Sequence, residues 1–259
     1  MDVIWIVCGF LLGLIIGSFA NVVIYRLPRG RSVVWPSSAC FHCARRLAAW
    51  ELVPVFSWLV LRGRCRSCGE PISGRYIFVE LLCGVLFAAM VLHTPTLSAV
   101  PLMSFAFVLL TVSFIDWDTQ EIPDGLLLVG GVAGLVWVAV GWLSPHLRPY
   151  SPCWRDALLG VLAGALPLLI VDRLVIILLK KDGFGYGDVK LMAMVGLFLG
   201  WQLTLMAFFF AFVSGGAYAT YLICTKRAQR GDYLAFGPFL CFGSVVSLWF
   251  GWDFIRWIF

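Results

Sequence analysis

Two carboxylates at the ends of long apolar runs carry the first chemical signal in this 259-residue chain. One closes the glycine-rich turn Gly183-Phe184-Gly185-Tyr186-Gly187-Asp188. The other lies in the acidic segment Asp116-Trp117-Asp118-Thr119-Gln120-Glu121, directly after Phe114-Ile115. A carboxylate at the edge of hydrocarbon costs free energy unless it is paired, hydrated or used, so each counts as a functional group by default. Brought together in a low-dielectric site, two carboxylates cannot both ionise easily, and they share one proton. Such a pair can hydrolyse a peptide bond. The ionised member deprotonates a water that attacks the carbonyl, while the protonated member polarises that carbonyl and later helps the amine leave. The bland alternative is a solvated loop in which Asp188 only caps the helix that follows. Asp116 follows its apolar helix most directly and should lie deepest, but position alone does not choose it over Asp118. Glycines at 183, 185 and 187 let another chain approach the backbone closely, and we expect them to receive an extended scissile segment by strand addition.

A second constellation is Cys40-Phe41-His42-Cys43 with Cys65-Arg66-Ser67-Cys68, two CxxC knuckles separated by 21 residues. Each knuckle brings two thiolates to one metal, and two knuckles at this spacing fit tetrahedral S4 coordination of zinc. Cys40, Cys43, Cys65 and Cys68 are therefore the expected ligands, with His42 a bystander. Four thiolates leave no open position for a catalytic water, so the zinc is read as structural, supplying folding energy to a loop with little core of its own. Redox or disulfide pairs are disfavoured by the cytoplasmic placement derived below. Cys8, Cys83, Cys224 and Cys241 fall in apolar runs and read as small core hydrophobes.

These groups must be held by membrane-spanning helices. The chain is 61% hydrophobic and 13% charged, with a mean hydropathy of +0.95, far from soluble composition. The expected fold class is all-α: a polytopic membrane protein with about eight transmembrane helices and a small cytoplasmic zinc-binding loop domain. Spans are expected at Val3 to Ile24, Tyr76 to His93, Leu97 to Ile115, Leu126 to Leu143, Ala157 to Leu179, Val189 to Trp201, Leu203 to Cys224 and Phe236 to Phe254. The boundary at Gly200-Trp201-Gln202 is the least marked. The domain plan is a first transmembrane helix (1–24), a cytoplasmic paired-CxxC loop domain (25–75) and a transmembrane protease domain (76–259). The first run has neither a basic start nor a small-residue cleavage site, so it reads as a span rather than a signal peptide.

Fifteen of the 19 Lys and Arg residues fall on one side of these spans, in the first loop, around Lys180, Lys181 and Lys190, and in the Thr225 to Asp232 loop. The positive-inside rule puts that side in the cytoplasm and both termini outside. The net charge of +5 is thus spent on orientation, and nucleic acid is not an expected partner. Both acidic clusters then share the cytoplasmic face, where Ser, Cys and His do not combine into a nucleophilic triad.

The ordered set Gly17-Ser18-Phe19-Ala20-Asn21-Val22-Val23, Arg26-Leu27-Pro28, the paired CxxC loop, Asp116 with Ile122-Pro123-Asp124, Gly185-Tyr186-Gly187-Asp188-Val189-Lys190-Leu191 and Phe236-Gly237-Pro238 resembles the bacterial type IV prepilin peptidases, intramembrane aspartyl proteases of the GxGD class. The resemblance implies a bacterial inner-membrane enzyme that cleaves the short basic leader from type IV prepilins or type II secretion pseudopilins at the cytoplasmic face. It also implies N-methylation of the new N-terminus with S-adenosylmethionine. Carried onto this chain, it makes Asp116 and Asp188 the catalytic pair and Cys40, Cys43, Cys65 and Cys68 the zinc ligands. No glycine-rich cofactor fingerprint marks where the methyl donor binds. The partners are the substrate and the lipid bilayer, with a homodimer admitted.

Other readings are more modest. Asp118, Glu121 and Glu51 are expected to give the cytoplasmic mouth an acidic character that suits a basic leader. Gly17, Ser18 and Asn21 read as small-residue helix packing with an Asn hydrogen bond, Asp172-Arg173 as an internal or snorkelling pair, Glu80 as a partner for an arginine, and Asp124 as an N-cap. Trp117, Trp142, Trp201, Trp252 and Trp257 sit near span ends, as interfacial anchors do. Within the protease class the alternative is a leader peptidase without methyl transfer; against the protease stand an ion-coupled transporter, which would place its carboxylates near the bilayer midplane, and an assembly factor that docks partners through its zinc loop.

Overall fold

Helices account for every long element of the computed structural model, which describes residues 3–94, 98–144, 151–179, 185–227 and 234–258. They are α1 (Val3–Arg26), the short α2 (Phe56–Val60), α3 (Arg75–His93), α4 (Ala99–Thr119), α5 (Asp124–Leu143), α6 (Trp154–Leu179), α7 (Tyr186–Cys224) and α8 (Gly237–Ile258). All but α2 are long and apolar enough to cross a membrane. In hydrocarbon a helix satisfies its own backbone groups, which is why such runs fold this way.

The chain divides into two compact units, Met1–Ala99 and Val100–Phe259. In the first, α1 lies along α3. Gly9, Gly13 and Gly17 form the contact stripe, and a Cβ on Gly17 would come within 2.8 Å of the Glu80 Cα. Asn21 donates its side-chain amide to the Tyr76 carbonyl at 3.1 Å. The reading of this stretch as small-residue packing with an Asn hydrogen bond is thus borne out. Glu80, buried in α3, accepts the Val55 backbone N–H at 2.7 Å. It anchors the loop through main chain, where an arginine partner was expected.

In the second unit α4 is the most deeply buried of the long helices. Eight spans were expected, and α7 covers the two expected at Val189 to Trp201 and Leu203 to Cys224. At Gly200 its backbone leaves the helical region (φ 71°, ψ 176°), a conformation that only glycine adopts freely. Phe198 stacks on Phe105, about three turns before Asp116 in α4, whereas Tyr218 packs on Trp117 beside it. The chain therefore leaves the Asp116 level after Asp188, turns at Gly200 and returns by Tyr218. The arm over 186–199 packs along α6, where Gly160 and Gly164 meet backbone at Gly196 and Met192, and the arm over 201–224 packs along α8, where Gly243 meets Ala207 and Ala211. At 1.5 Å per residue the first arm is roughly 21 Å long, short of a hydrocarbon core of about 30 Å.

Trp117, Trp142, Trp201, Trp252 and Trp257 are all exposed on the protein surface, as anchors require. Cys83 and Cys241 are buried as expected. Cys8 and Cys224 are exposed, because each lies on a helix face turned away from the packed neighbours.

Candidate active site and thiolate centre

Asp116 sits three residues before the end of α4 and is only 6% exposed. The helix stops just beyond it: Gln120 takes a positive φ of 55°, and its N–H closes onto the Asp116 carbonyl at 2.9 Å. The Asp116 side chain turns inward, where Oδ2 accepts the backbone N–H of Gly237, the first residue of α8, at 3.0 Å. Asp118, two positions on, is exposed and lies outside the cavity lining. Burial thus separates the two aspartates that position in the sequence could not.

Asp188 is the third residue of α7. Gly185, in extended conformation (φ −66°, ψ 138°), is the N-cap, and the Asp188 N–H reaches the Gly185 carbonyl at 3.0 Å. Each carboxylate therefore stands at a helix N-terminus, Asp188 in its own helix and Asp116 against α8. Free N–H groups and the helix dipole favour negative charge at both places. Asp116 and Asp188 line one cavity of about 450 Å³, together with Gln120, Glu121 and Ile122 from the loop that joins α4 to α5.

Gly185 and Gly187 also line this cavity. They differ in what faces them. A Cβ on Gly187 would lie 2.9 Å from the Ile122 Cβ, whereas on Gly185 its closest neighbour would be Asp188 Oδ2 at 3.8 Å. The third glycine, Gly183, lies outside the described residues.

In sequence Lys190 is a basic residue of the Gly185 to Leu191 stretch with no evident partner. In the structure its ammonium is bound by both oxygens of Asp124 at 2.7 and 2.9 Å, and both residues line the cavity. Asp124 is thus the first residue of α5 and an ion-pair partner, while its expected capping position belongs to Pro123. The lining holds four carboxylates, Asp116, Glu121, Asp124 and Asp188, against one ammonium. Glu51 is committed within the first unit: it accepts the Ala48 N–H and pairs with Arg45. That arginine and the N–H hold its carboxyl below the usual range. Arg173 donates to the Tyr186 hydroxyl at 3.0 Å, so the partner of this half of the Asp172-Arg173 pair lies on α7.

The four sulfurs of Cys40, Cys43, Cys65 and Cys68 all lie within 4.8 Å of one another, and Cys40 and Cys68 are 3.8 Å apart. Zinc–sulfur bonds of about 2.3 Å in a tetrahedron put sulfurs roughly 3.8 Å apart, so the donor set fits the ion. The two knuckles are built alike. Cys40 N–H reaches the Arg45 carbonyl and Cys65 N–H the Glu70 carbonyl, while Ala44 and Gly69 return N–H groups to the Cys40 and Cys65 carbonyls with positive φ. The backbone N–H groups of Cys68 and Ser67 pull the Cys65 thiol down to about 6. Although the Glu70 N–H draws Cys68 down, desolvation and the neighbouring thiols push it up to about 12. Thiols this close resist ionising together, and a divalent cation is what lets all four become ligands.

Residues 11–94 match the bacterial peptidase A24 N-terminal domain, and residues 103–220 match the type IV leader peptidase family. Among curated proteins the chain is similar to one of Stutzerimonas stutzeri (34% identical, covering 95% of this chain and 91% of the relative) and one of Pseudomonas putida (34%, 95% and 91%). It is also similar to one of Burkholderia pseudomallei (36%, 94% and 84%). All three bear the name prepilin leader peptidase/N-methyltransferase. No solved structure matches the chain.

Proposed function

The chain belongs to the type IV leader peptidase family, and from that premise we propose that Asp116 and Asp188 are its catalytic pair. They cleave the short basic leader from type IV prepilins or type II secretion pseudopilins. The observation that carries this reading is the shared cavity, where two carboxylates from α4 and α7 face the same roughly 450 Å³. A cavity that size admits water and an extended peptide segment. One aspartate takes a proton from the water as its oxygen attacks the scissile carbonyl; the other gives its proton to the carbonyl oxygen. The tetrahedral adduct then collapses with proton transfer to the leaving amine. Glu121 supplies a negative charge at the rim, suited to the basic leader, and Lys190 with Asp124 fixes α7 to α5 beside it.

The cleavage site faces the cytoplasm of a bacterial inner membrane in this reading, with both termini on the other side. Fifteen basic residues on one side support that orientation. Cys40, Cys43, Cys65 and Cys68 would hold zinc, which cross-links the two knuckles when bound. The relatives' names support a second activity, N-methylation of the exposed N-terminus with S-adenosylmethionine as donor. No residue set is assigned to that donor, and no step is drawn through it.

The test is mass spectrometry of a prepilin-type substrate incubated with purified enzyme in detergent, with and without S-adenosylmethionine. Asp116→Asn and Asp188→Asn variants run alongside. The expected outcome is leader loss with wild type and with neither variant, and a further methyl mass only when the donor is present. An intact substrate with folded wild-type enzyme refutes the protease reading, and cleavage without a methyl mass restricts the enzyme to peptidase action.

A further inference from the structure

Gly237 is 121 residues away from Asp116 in sequence, yet its N–H is the hydrogen-bond donor to that carboxylate. The start of α8 leaves this group free for the purpose. Phe239 and Leu240 direct their N–H groups to the Phe236 carbonyl, and Pro238 has none to offer. A side chain at 237 would destroy the arrangement. Its Cβ would lie 2.6 Å from Asp116 Oδ2 and 3.0 Å from Cγ. Glycine is required here by the approach of a carboxylate, since nothing about its φ is unusual.

The pair is therefore asymmetric. Asp116 receives a main-chain donor at a helix start, whereas among the described residues no donor reaches the Asp188 carboxylate. The Gly237 N–H fills an acceptor site on Oδ2 of Asp116 and bonds more strongly to an ionised carboxylate than to a protonated one, so it disfavours placing the shared proton there. A carboxylate that accepts such a bond is stabilised as the anion.

We propose that the backbone N–H of Gly237 is a positioning group that makes Asp116 the base of the pair and leaves the shared proton on Asp188. This inference rests on the catalytic-pair reading above and deepens it by assigning the two roles. Asp116 takes a proton from water as the water oxygen bonds to the scissile carbon, and the Asp188 proton passes to the carbonyl oxygen to give a gem-diol. In the second half Asp188 recovers a proton from one diol hydroxyl. Asp116 delivers its own to the amine as the C–N bond breaks. The products are a carboxylic acid and an amine, and the pair ends as it began.

Two measurements on the full-length enzyme test this. Steady-state cleavage of a prepilin-type peptide is compared for wild type, Gly237→Ala, Asp116→Asn and Asp188→Asn. Displacement of the carboxylate from the donor by the new Cβ should lower kcat about 100-fold in Gly237→Ala while KM stays within about twofold, a split that general loosening of α8 would not produce. The second measurement does not depend on whether Gly237→Ala folds. Labelling Phe carbonyl carbon and Gly nitrogen selects the Phe-Gly pairs, of which Phe236-Gly237 is one, and the Gly237 amide proton should move upfield in Asp116→Asn as a charge-assisted bond is lost. A folded Gly237→Ala enzyme with wild-type kcat, or a Gly237 amide that Asp116→Asn leaves unmoved, overturns the positioning role. Turnover by Asp116→Asn instead overturns the catalytic pair itself, so the two failures are distinct.

Discussion

Gly185 and Gly187 line the same cavity, and substitution separates what each is for. An alanine Cβ at 187 would lie 2.9 Å from the Ile122 Cβ and 3.3 Å from both Cγ1 and Cδ1. Carbon atoms pack best at about 3.5–4.0 Å, so the first contact is short by at least about 0.6 Å. Ile122 must yield, and with it the loop that presents Gln120 and Glu121 to the cavity. Forcing a methyl into a filled space costs about 1–3 kcal/mol, so Gly187→Ala should destabilise by that amount. Ile122→Ala removes the two 3.3 Å contacts but keeps the Cβ, so the double variant should recover part of the loss, with a coupling of about 1 kcal/mol. Among the described residues a Cβ on Gly185 would meet only ordinary van der Waals contacts, with Asp188 Oδ2 at 3.8 Å, and the backbone there is one that any residue can adopt. Serine is a favoured N-cap there, so Gly185→Ser should stay within about 0.5 kcal/mol of wild type. Thermal unfolding in detergent gives the stabilities, and cleavage kinetics on the same samples give kcat and KM. If the substrate backbone lies against 185, Gly185→Ser keeps its stability and loses kcat/KM; unchanged kinetics would remove this glycine from the binding surface. A Gly187→Ala protein as stable as wild type, or a double variant showing no coupling, would refute the packing argument.

Other perturbations follow from the same geometry. Gly200→Ala forces an alanine into a positive-φ, extended-ψ conformation essentially confined to glycine and should cost about 1–3 kcal/mol, seen as a lower Tm, since φ 71° and ψ 176° are what break α7 here. Lys190→Met breaks an ion pair whose members are both exposed, so its stability cost should be below about 1 kcal/mol; any larger fall in cleavage of a basic leader is then electrostatic, and raising the salt concentration should diminish it. Purified enzyme should carry one zinc per chain by metal analysis, and Cys65→Ser or a strong chelator should remove it and alter the fluorescence of Trp50 and Trp58 while far-UV helicity stays high. Glu51, held below its ordinary value of 4.5 by Arg45, gives its loop a stabilisation that is fully present above pH 4.5 and is lost as pH falls through the lower folded value. The stability difference between wild type and Glu51→Gln should therefore be constant above pH 4.5 and shrink progressively as pH falls from there through the lower folded value.

What the sequence made legible was local. The CxxC spacing encodes two knuckles because each closes within six residues, and the apolar runs encode the spans because a helix satisfies its backbone without help from outside. Even the break in α7 left a trace, in the Gly200-Trp201-Gln202 interruption. The contacts that finish the site join distant residues: Asp116 to Gly237, Asp124 to Lys190, Glu80 to Val55. Nothing in the spacing of these residues announces a partner 121 or 66 positions away. Glu51 and Asp124 were misplaced for that reason, each being an exposed-looking acid whose use depends on which basic or N–H group the fold delivers to it.

The same dependence explains why the cavity needs the whole second unit. A carboxylate within a bundle of helices is costly alone. Buried Asp116 on α4 is met by the start of α8, and exposed Asp124 on α5 by Lys190 on α7. These offsets exist only once α4, α5, α7 and α8 have packed. Their close approach runs through glycines such as Gly130 against Met194 and Gly243 against Ala207. A loosened helix contact would withdraw a donor from a buried charge before it exposed the core, so catalysis should fail at an earlier stage of unfolding than helicity does.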